Sequence, residues 1–591
     1  MGRLLRAVQT NFTAGELDPL LAMRLDTRHY YNGAERLRNV LIEPQGGARR
    51  RPGLEFMTSL PAPPLRFIPF QRSTEQRYLI VAVDKKLTVY HNGNKQAEVA
   101  IPHAAAQLPE LTWTQSLDTL LLFHPEVQTH KIMWTGSHTS WSSAPLTFAN
   151  IPTRDFGSGA EPAWSATRGW PGCGTFHQGR FVVAGSRLLP QTVWGSKSGD
   201  FWDFEQKAGT GGKILDDQGF DVTLDADNLN AIKSVYSGRH LQLFTSGGVW
   251  YCPIDREALT PTNIMFKRAA RRGCKTRDAD GAARTLPIVE VDGAVLFIQR
   301  GGKALRELLW VDTEADYVAQ NISLLSSHLI DDPVDIAIRR STSTEEADYV
   351  LTVNKNGTLA VLCTLRNQSV ASWSLCSTKG KFLAVGVDGE WMYFAVERTI
   401  NGAVVVYMER FNTNHFMDAG VRAALDAPTG TLAGLSHLER ETVQVRADGA
   451  LRESAVVTSG EIVLDHNAEK SVEAGLDFPT VVDADGAVKP TPLIRDMPLE
   501  ADLPDGTSMG RKKRVVEIYL RLHETQGLKI NGQLPVFRRF GPSALDTLPE
   551  IHTGDKTIKG LLGWSDKGQV EITQQNPLPL TVLGVGKKVA I

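Results

Sequence analysis

The chain has 591 residues with 42% hydrophobic and 22% charged side chains, which is enough apolar material for two to four globular domains. Its 64 Lys and Arg residues against 66 Asp and Glu leave a net charge of −2, which argues against a dedicated nucleic-acid coat because such a protein needs a strong basic excess. The five cysteines form no CxxC pair and have no histidine cluster beside them, so they indicate reduced thiols and exclude a disulfide framework.

Residues 1–60 are predicted to form an N-terminal arm with two short helices and an arginine-rich turn. Thr13 and Glu16 have the spacing of a capping box, which predicts the start of the first helix. Asp26 is a candidate cap of the second helix, whose apolar face would contain residues at helical spacing, namely Tyr30, Ala34, Leu37 and Leu41. The segment lacks the apolar core of a secretory signal, and no run in the chain is long enough for a membrane span, so we expect a soluble protein made in the cytoplasm.

Residues 61–430 have the pattern of a mainly β protein. Short apolar runs between turn signals predict strands at Tyr78–Val83, Leu120–His124, Arg180–Gly185, Leu241–Thr245, Ala294–Gln299, Tyr349–Val353, Leu359–Cys363, Trp391–Val396 and Ala403–Met408. Asn-Gly pairs at 92–93, 356–357 and 401–402 predict hairpin turns. A sandwich or a propeller would fit, and the propeller is favoured because paired strands continue without a helix-rich break. No repeat fixes the blade number, and six to eight blades are compatible with the length.

Residues 431–591 are predicted to form a C-terminal β-sandwich-like domain. Asp448-Gly449 and Ser459-Gly460 have the form of hairpin turns. Further on, apolar residues alternate with polar ones as in a half-buried strand, at Val516, Ile518, Leu520 and Leu522. The β-branched segment at the end of the chain, 574–591, is typical of a final strand packed into a sheet.

No residue is predicted to act in catalysis or to bind a cofactor or a metal. The acidic pairs 216–217, 331–332 and 345–346 are adjacent, and neighbours on a strand point to opposite faces, whereas glycosidases need two converging carboxyls. The segments 278–281 and 483–486 resemble fragments of calcium loops, but Val289 and Ile494 stand where a calcium loop needs a glutamate, so turns are expected. Nucleophile-elbow, phosphate-loop and zinc-protease motifs do not occur.

Two basic clusters are the candidate partner or subunit contacts. One contains Arg49, Arg50 and Arg51, and the other contains Arg511, Lys512, Lys513 and Arg514, with Arg538 and Arg539 farther on. A solvated surface, contact with a neighbouring subunit or adaptor, and contact with DNA phosphates are all compatible with them. Because a basic wall would hold moving DNA, we expect that these clusters do not line a DNA channel.

The segment 11–56 resembles the opening of the nozzle proteins of short-tailed bacteriophages. The matching residues are Asn11, Phe12, Thr13, Gly15, Glu16, Leu17, Pro19, Gly46, Gly47, Arg50, Arg51, Pro52, Gly53 and Phe56. Similar stretches follow in order at 113–126, 176–204, 241–252, 259–261, 401–411, 435–449 and 574–585. One departure is Arg440, which stands where relatives often have glycine, so an altered turn is expected there.

The resemblance implies a β-propeller subunit of a ring, expected to be a homohexamer, that docks below the adaptor ring of the tail. Such a ring continues the DNA conduit, helps to retain the genome in the virion and passes it during ejection. The implied partners are further copies of the chain, the adaptor or head-to-tail connector, tail fibres or spikes, double-stranded DNA in transit and the host envelope. The alternative is a propeller-type tail protein that binds a receptor or degrades glycans.

Overall fold

The computed structural model describes residues 4–157, 159–208, 214–226, 228–254, 257–343, 345–483, 486–503, 506–537, 550–559 and 563–591. Within these ranges, seven groups of four antiparallel strands follow one another around a common axis and form the blades of a β-propeller; five are separate sheets, and two are parts of larger sheets. The prediction of a mainly β protein with a β-propeller is therefore confirmed. No helix in the described part of the chain is both long and apolar enough to span a bilayer.

Each blade is numbered in chain order, and its first strand lies nearest the axis. Blade 1 contains Arg66–Gln71, Arg77–Val83, Lys86–His91 and Asn94–Ala100; blade 2 contains Thr112–Ser116, Thr119–His124, Val127–Trp134 and Trp141–Pro145. Blade 3 contains Cys173–His177, Arg180–Ala184, Thr192–Gly195 and Phe220–Thr223; blade 4 contains Ile232–Ser237, Leu241–Thr245, Val249–Cys252 and Lys267–Ala270. Blade 5 contains Val289–Val291, Ala294–Ile298, Leu305–Val311 and Asp316–Asn321; blade 6 contains Pro333–Arg339, Asp348–Asn354, Leu359–Leu365 and Val370–Cys376.

Blade 7 is completed by a strand from the N-terminal part of the chain. Its first three strands are Lys381–Asp388, Trp391–Ile400 and Ala403–Asn412, and the outermost is Gly53–Leu60, which we call the closing strand. The closing strand runs antiparallel to Ala403–Asn412. Residues assigned from the sequence to the arm therefore lock the first blade to the last.

All nine strands predicted between residues 78 and 408 are present in the blades. Several of them are buried along their whole length, as in Arg180–Ala184, Leu241–Thr245 and Ala294–Ile298. Neighbouring blades cover both faces of such strands, so continuous apolar runs without alternation are stable there. In two of the predicted Asn-Gly turns both residues are left-handed, with φ of 49° and 77° at Asn92 and Gly93 and of 48° and 77° at Asn401 and Gly402.

The sheet of blade 7 continues beyond the closing strand into a small body that we call the blade-7 extension. Its strands in spatial order are Asp418–Ala424, Ser471–Leu476, Thr442–Ala447 and Ala450–Val456. A two-stranded antiparallel ribbon of Thr429–Ala433 with Glu461–Ala468 belongs to the same body. Leu432, Val443, Ile462 and Val472 form part of its apolar core. Both predicted turns are left-handed hairpin turns, with positive φ at Asp448, Gly449, Ser459 and Gly460.

The two chain ends share a second body, which we call the terminal body. It contains a six-stranded sheet formed by Leu4–Gln9, Val40–Ile42, Ala48–Arg50, Arg514–Thr525, His552–Lys559 and Thr581–Ala590. It also contains a continuation of blade 6 through Gly33–Arg38, Leu493–Asp496, Glu571–Thr573 and Lys529–Ile530, with Gly15–Glu16 beside Gly33–Arg38. One apolar core, which includes Phe12, Leu37, Ile518 and Val585, joins the two sheets.

The predicted N-terminal helices are largely wrong. The segment has one short α-helix, Arg28–Asn32, and a 3₁₀ turn at Pro19–Leu21, whereas Ala34, Leu37 and Leu41 lie in strands. Glu16 does not cap a helix, because its buried carboxylate accepts the N–H of Leu37 at 2.7 Å.

Short elements connect the blades and the two further bodies. In the described residues the other 3₁₀ turns are Ala105–Glu110, Leu324–Leu329, Arg366–Gln368 and Ser436–Leu438. Further two-stranded ribbons pair Thr153–Asp155 with Ala160–Pro162, Val481–Val482 with Val488–Lys489, and Asp502–Leu503 with Gly506–Thr507.

The predicted C-terminal strands are confirmed. Arg514–Thr525 buries Ile518, Leu520 and Leu522 and exposes the alternate residues Tyr519 and Arg521. At its start the buried residue is Val515 and not Val516, because a bulge between 515 and 517 shifts the register. The last strand, Thr581–Ala590, lies in the middle of the terminal sheet.

Candidate functional site

The arginine-rich turn lies in the interior, where the closing strand, the blade-7 extension and the terminal body meet. The guanidinium of Arg51 donates to both carboxylate oxygens of Asp418, at 2.8 and 2.7 Å, and both side chains are fully buried. It also donates to the side chain of Asn39 and to the carbonyls of Pro52 and Ser377. All three nitrogens of Arg51 therefore have partners within the chain.

Arg50 extends this junction into the terminal body. It donates to the side chain of Gln574 at 3.0 Å, to the carbonyl of Asn576 at 3.1 Å and to the carbonyl of Phe416 at 2.9 Å. The ring of Phe478 lies 4.0 Å from the Arg50 guanidinium and 3.8 Å from that of Arg51. We call Arg50, Arg51, Asp418 and Phe478 the arginine junction.

Burial and neighbouring charges together determine the pKa values of the arginine junction. Burial, together with the neighbouring charge of Arg51, lowers the pKa of Arg50 to about 9. Burial alone would raise the pKa of Asp418, but the bidentate contact with Arg51 outweighs it and holds that pKa below its ordinary value. The carboxylate of Asp418 is thus charged in the folded protein because Arg51 is beside it.

The predicted role of this cluster as a partner contact is wrong for Arg50 and Arg51, because their side chains are enclosed by their own chain. Arg49 differs from them, since 29% of its side chain is exposed and it forms ion pairs with Glu43 and Glu345. The sequence did not indicate Asp418 as the counter-ion, because it lies 367 residues from Arg51.

The second basic cluster divides in the same way. Lys513 is buried, so a partner contact is wrong for it too, and its ammonium donates to Glu500 at 2.7 Å and to the carbonyl of Asp566 at 3.1 Å. Arg511 and Lys512 are exposed, and Lys512 pairs with the exposed Asp566. Arg514 is half-buried at the start of its strand, while Arg538 and Arg539 lie outside the described residues. The contact prediction therefore stays open for Arg511, Lys512 and Arg514.

The first strands of all seven blades line a cavity of about 390 Å³ on the propeller axis. At one end of this axial cavity the N–H of Thr285 donates to the carbonyl of Pro109 at 2.9 Å. Thr285 precedes the first strand of blade 5, and Pro109 precedes that of blade 2. Because these blades stand across the ring from each other, their hydrogen bond closes the axis at this level. A second cavity of about 450 Å³ shares Thr285 with the first.

Three of the adjacent carboxylates form ion pairs with basic side chains in the structure. Asp331 pairs with Lys303, Asp332 pairs with Lys275 at 2.6 Å, and Glu345 pairs with Arg339 at 2.8 Å. The 278–281 segment is a turn in which Gly281 has φ of 87°, and Asp278 is neutralised by Lys275 and Arg284. Of the 483–486 segment, 484 and 485 lie outside the described residues. Across the residues that are described, no three His, Cys, Asp or Glu side chains are grouped as a metal site would require.

No family model matches this chain, and no curated protein sequence matches it. Among solved structures, the WD40 domain of Pan2 from Neurospora crassa is similar, with 11% identity and a TM-score of 0.33 over 61% of this chain and 95% of that one. Raptor from Chaetomium thermophilum is also similar, with 13% identity and a TM-score of 0.36 over 62% of this chain and 29% of that one. These similarities concern the propeller fold alone.

Proposed function

We propose that the protein is a ring-forming structural component of a short phage tail, a nozzle that continues the DNA conduit below the adaptor, helps to retain the genome and passes it during ejection. The observation that carries the proposal is the ordered resemblance of residues 11–585 to nozzle proteins. Its most specific part, the segment ending at Phe56, contains Arg50 and Arg51, which hold three parts of the fold together. A mechanical role accounts for a motif that the chain buries instead of presenting to a ligand.

The way in which the three bodies are joined supports such a role. Blade 6 continues into the terminal body and blade 7 continues into the blade-7 extension, both through hydrogen-bonded strands. A subunit joined by continuous sheets resists bending at its domain boundaries more than one joined by flexible linkers. A conduit under the pressure of packaged DNA needs subunits of this kind.

The closed axis determines where DNA would travel. The major groove of B-DNA is itself about 12 Å wide, so a duplex cannot enter an axial cavity of about 390 Å³ that is closed at Thr285. In the proposed ring the duplex runs through a central channel that the subunits surround, and not along the axis of any single propeller. Copies of the chain would then meet through two different patches, as in any closed cyclic ring.

The decisive experiment is the mass and shape of the purified protein, measured by light scattering and negative-stain imaging, alone and with the adaptor ring. The proposal expects six copies around an open channel that is distinct from the propeller axes. A stable monomer or trimer that releases sugars from host polysaccharide would instead establish the receptor-binding or glycan-degrading alternative.

Charge reversal tests the exposed part of the second basic cluster as a contact with the neighbouring copy or the adaptor. We expect that the double substitution Arg511→Glu and Lys512→Glu weakens ring or adaptor assembly. The matched control is the double substitution Lys86→Glu and Lys95→Glu on blade 1, where 41% and 55% of the two lysine side chains are exposed. If the control impaired assembly as much as the double variant, the effect would come from net charge and not from a contact.

A further inference from the structure

The hairpin between the second and third strands of blade 7 ends in an exposed Asn-Gly turn. Ile400 pairs with Ala403 across the turn, and Asn401 and Gly402 are the two residues between them. The backbone N–H of Asn401 donates to the carboxylate of Glu441 at 2.7 Å. Its side-chain amide has no hydrogen bond to any described residue, and neither has the N–H of Gly402. The amide is therefore free to rotate onto the following backbone nitrogen.

The same tripeptide occurs a second time in the chain and provides a comparison. Ile530-Asn531-Gly532 also forms a two-residue turn, with φ of 46° and 80° at its last two residues, and both of these are exposed. Here, however, the asparagine side chain is held at both ends. Its Oδ1 accepts the N–H of Glu571 at 2.7 Å, and its Nδ2 donates to the carbonyl of Gln569 at 3.3 Å. The two sites thus share sequence, turn and exposure but differ in the freedom of the side chain.

The three other Asn-Gly pairs of the sequence are restrained in different ways. In the pair 356–357 the asparagine Oδ1 accepts the N–H and the hydroxyl of Thr358, at 3.0 and 2.7 Å, and the glycine N–H donates to a carbonyl at 2.9 Å. In the other two pairs the glycines, Gly33 and Gly93, are buried, and an added Cβ would lie 2.6 and 2.0 Å from the nearest side-chain atom. These glycines have little room for a reaction at their nitrogen. Among the five pairs, all of them in the described residues, Asn401 alone combines exposure with an unbonded side chain.

We infer that Asn401 is a site of spontaneous deamidation, at which the side-chain amide is converted to a mixture of aspartate and isoaspartate. The backbone nitrogen of Gly402 loses its proton to solvent and forms a bond to Cγ of Asn401, while the bond from Cγ to Nδ2 breaks and Nδ2 leaves with a proton as ammonia. Water then opens the cyclic imide. Cleavage of the bond to Cγ gives aspartate, and cleavage of the bond to the main-chain carbonyl carbon gives isoaspartate. Water is the co-reactant, and nothing is oxidised or reduced.

Deamidation at this turn alters a contact between blade 7 and the blade-7 extension. Glu441, whose carboxylate accepts the N–H of Asn401, belongs to that extension. The product places a new carboxylate beside it, and like charges at short range repel each other. Isoaspartate also adds a methylene to the main chain, which a two-residue hairpin turn cannot accommodate in its original geometry. The modified chain therefore holds the extension less firmly at this point, whether or not the protein forms part of a phage tail.

The test is peptide mapping by mass spectrometry of the full-length protein after incubation at mildly alkaline pH and physiological temperature. Because Asn531 must first release two hydrogen bonds, we expect it to lose ammonia about tenfold more slowly than Asn401 does. Electron-based fragmentation distinguishes isoaspartate from aspartate in the product. The unfolded protein in urea is the control. There the two sites should react at rates within about twofold of each other, since both are preceded by isoleucine and followed by glycine.

A variant separates the effect of this site from general ageing of the protein. Asn401→Gln should release no ammonia at position 401 and should leave the rate at Asn531 unchanged. The melting temperature of the wild-type protein should fall as the product accumulates, whereas that of Asn401→Gln should stay constant over the same incubation. Equal rates at Asn401 and Asn531 in the folded protein, or an unmodified Asn401 under conditions in which the unfolded chain reacts, would overturn the inference. An unchanged melting temperature after full conversion would refute the weakened contact with Glu441.

Discussion

Replacement of Arg51 by alanine tests the arginine junction most directly. The substitution removes five hydrogen bonds and leaves the carboxylate of Asp418 buried, with the hydroxyl of Thr378 as a remaining donor. Loss of one partner of a buried ion pair typically costs about 3–5 kcal/mol. We expect the free energy of unfolding to fall by that amount, which is a large part of the roughly 5–15 kcal/mol that stabilises an ordinary domain.

The neighbouring residue supplies the control. Arg49 belongs to the same tripeptide, but 29% of its side chain is exposed and its ion pairs with Glu43 and Glu345 lie near the surface. Partly solvated pairs contribute about 0–1 kcal/mol, so Arg49→Ala should cost less than about 1 kcal/mol. Urea unfolding, followed by tryptophan fluorescence, measures the free energy of unfolding of each variant. Amide exchange of Gly53–Leu60 and Asp418–Ala424 shows whether these two strands are the ones destabilised.

The loss of stability in Arg51→Ala should depend on pH, in a direction that follows from the pKa of Asp418. In the native protein the pKa of Asp418 lies below its ordinary value, so its stabilisation is present above the unfolded pKa and is lost as pH falls through the folded one. In Arg51→Ala burial raises this pKa instead, so the variant's penalty should be largest at neutral pH and shrink as pH falls and the carboxyl becomes neutral. A cost below 1 kcal/mol at pH 7, or a penalty that does not change down to pH 4, would refute the reasoning.

Three further outcomes are expected. Gly15→Ala should lower the melting temperature more than Gly179→Ala does, as comparative thermal melts will show. Both glycines have φ above +60°, but an added Cβ at Gly15 would lie 2.2 Å from the backbone nitrogen of Trp373, whereas a Cβ at Gly179 would meet open space. Arg440→Gly should raise the free energy of unfolding by about 0.5–1 kcal/mol in urea titrations, because Arg440 is left-handed with φ of 67°. All five cysteines are buried and burial raises their pKa, so a thiol reagent should label fewer than one per native chain and all five after unfolding.

The blades could be predicted from the sequence because their signals are local. An apolar run such as Leu241–Thr245 and a turn such as Asn92-Gly93 each specify a strand or a hairpin without distant residues. The segment Gly33–Arg38 was predicted as helix from the spacing of its apolar residues, but it forms a strand. Its pairing partner, Leu493–Asp496, lies more than 450 residues away in the sequence. Tertiary pairing overrode the local pattern there.

The arginine junction likewise combines a local signal in the sequence with contacts that only the fold creates. A run of three arginines before Pro52-Gly53 indicated a special segment, but only the fold brings Asp418 to Arg51. Arg66 is a lone charge at the start of an otherwise apolar strand, and only the fold shows that it is buried beside Trp113 and donates to the carbonyl of Thr285.

The position of the closing strand has a consequence for biosynthesis. Gly53–Leu60 leaves the ribosome early, but its partner Ala403–Asn412 appears only after about 350 more residues, which takes on the order of 20–70 s at about 5–20 residues per second. The strand Leu4–Gln9 waits longer still, for Thr581–Ala590. Until then the nascent chain presents unpaired strand edges, so its yield in cells should depend on the speed of translation and on chaperones as much as on the stability of the finished molecule.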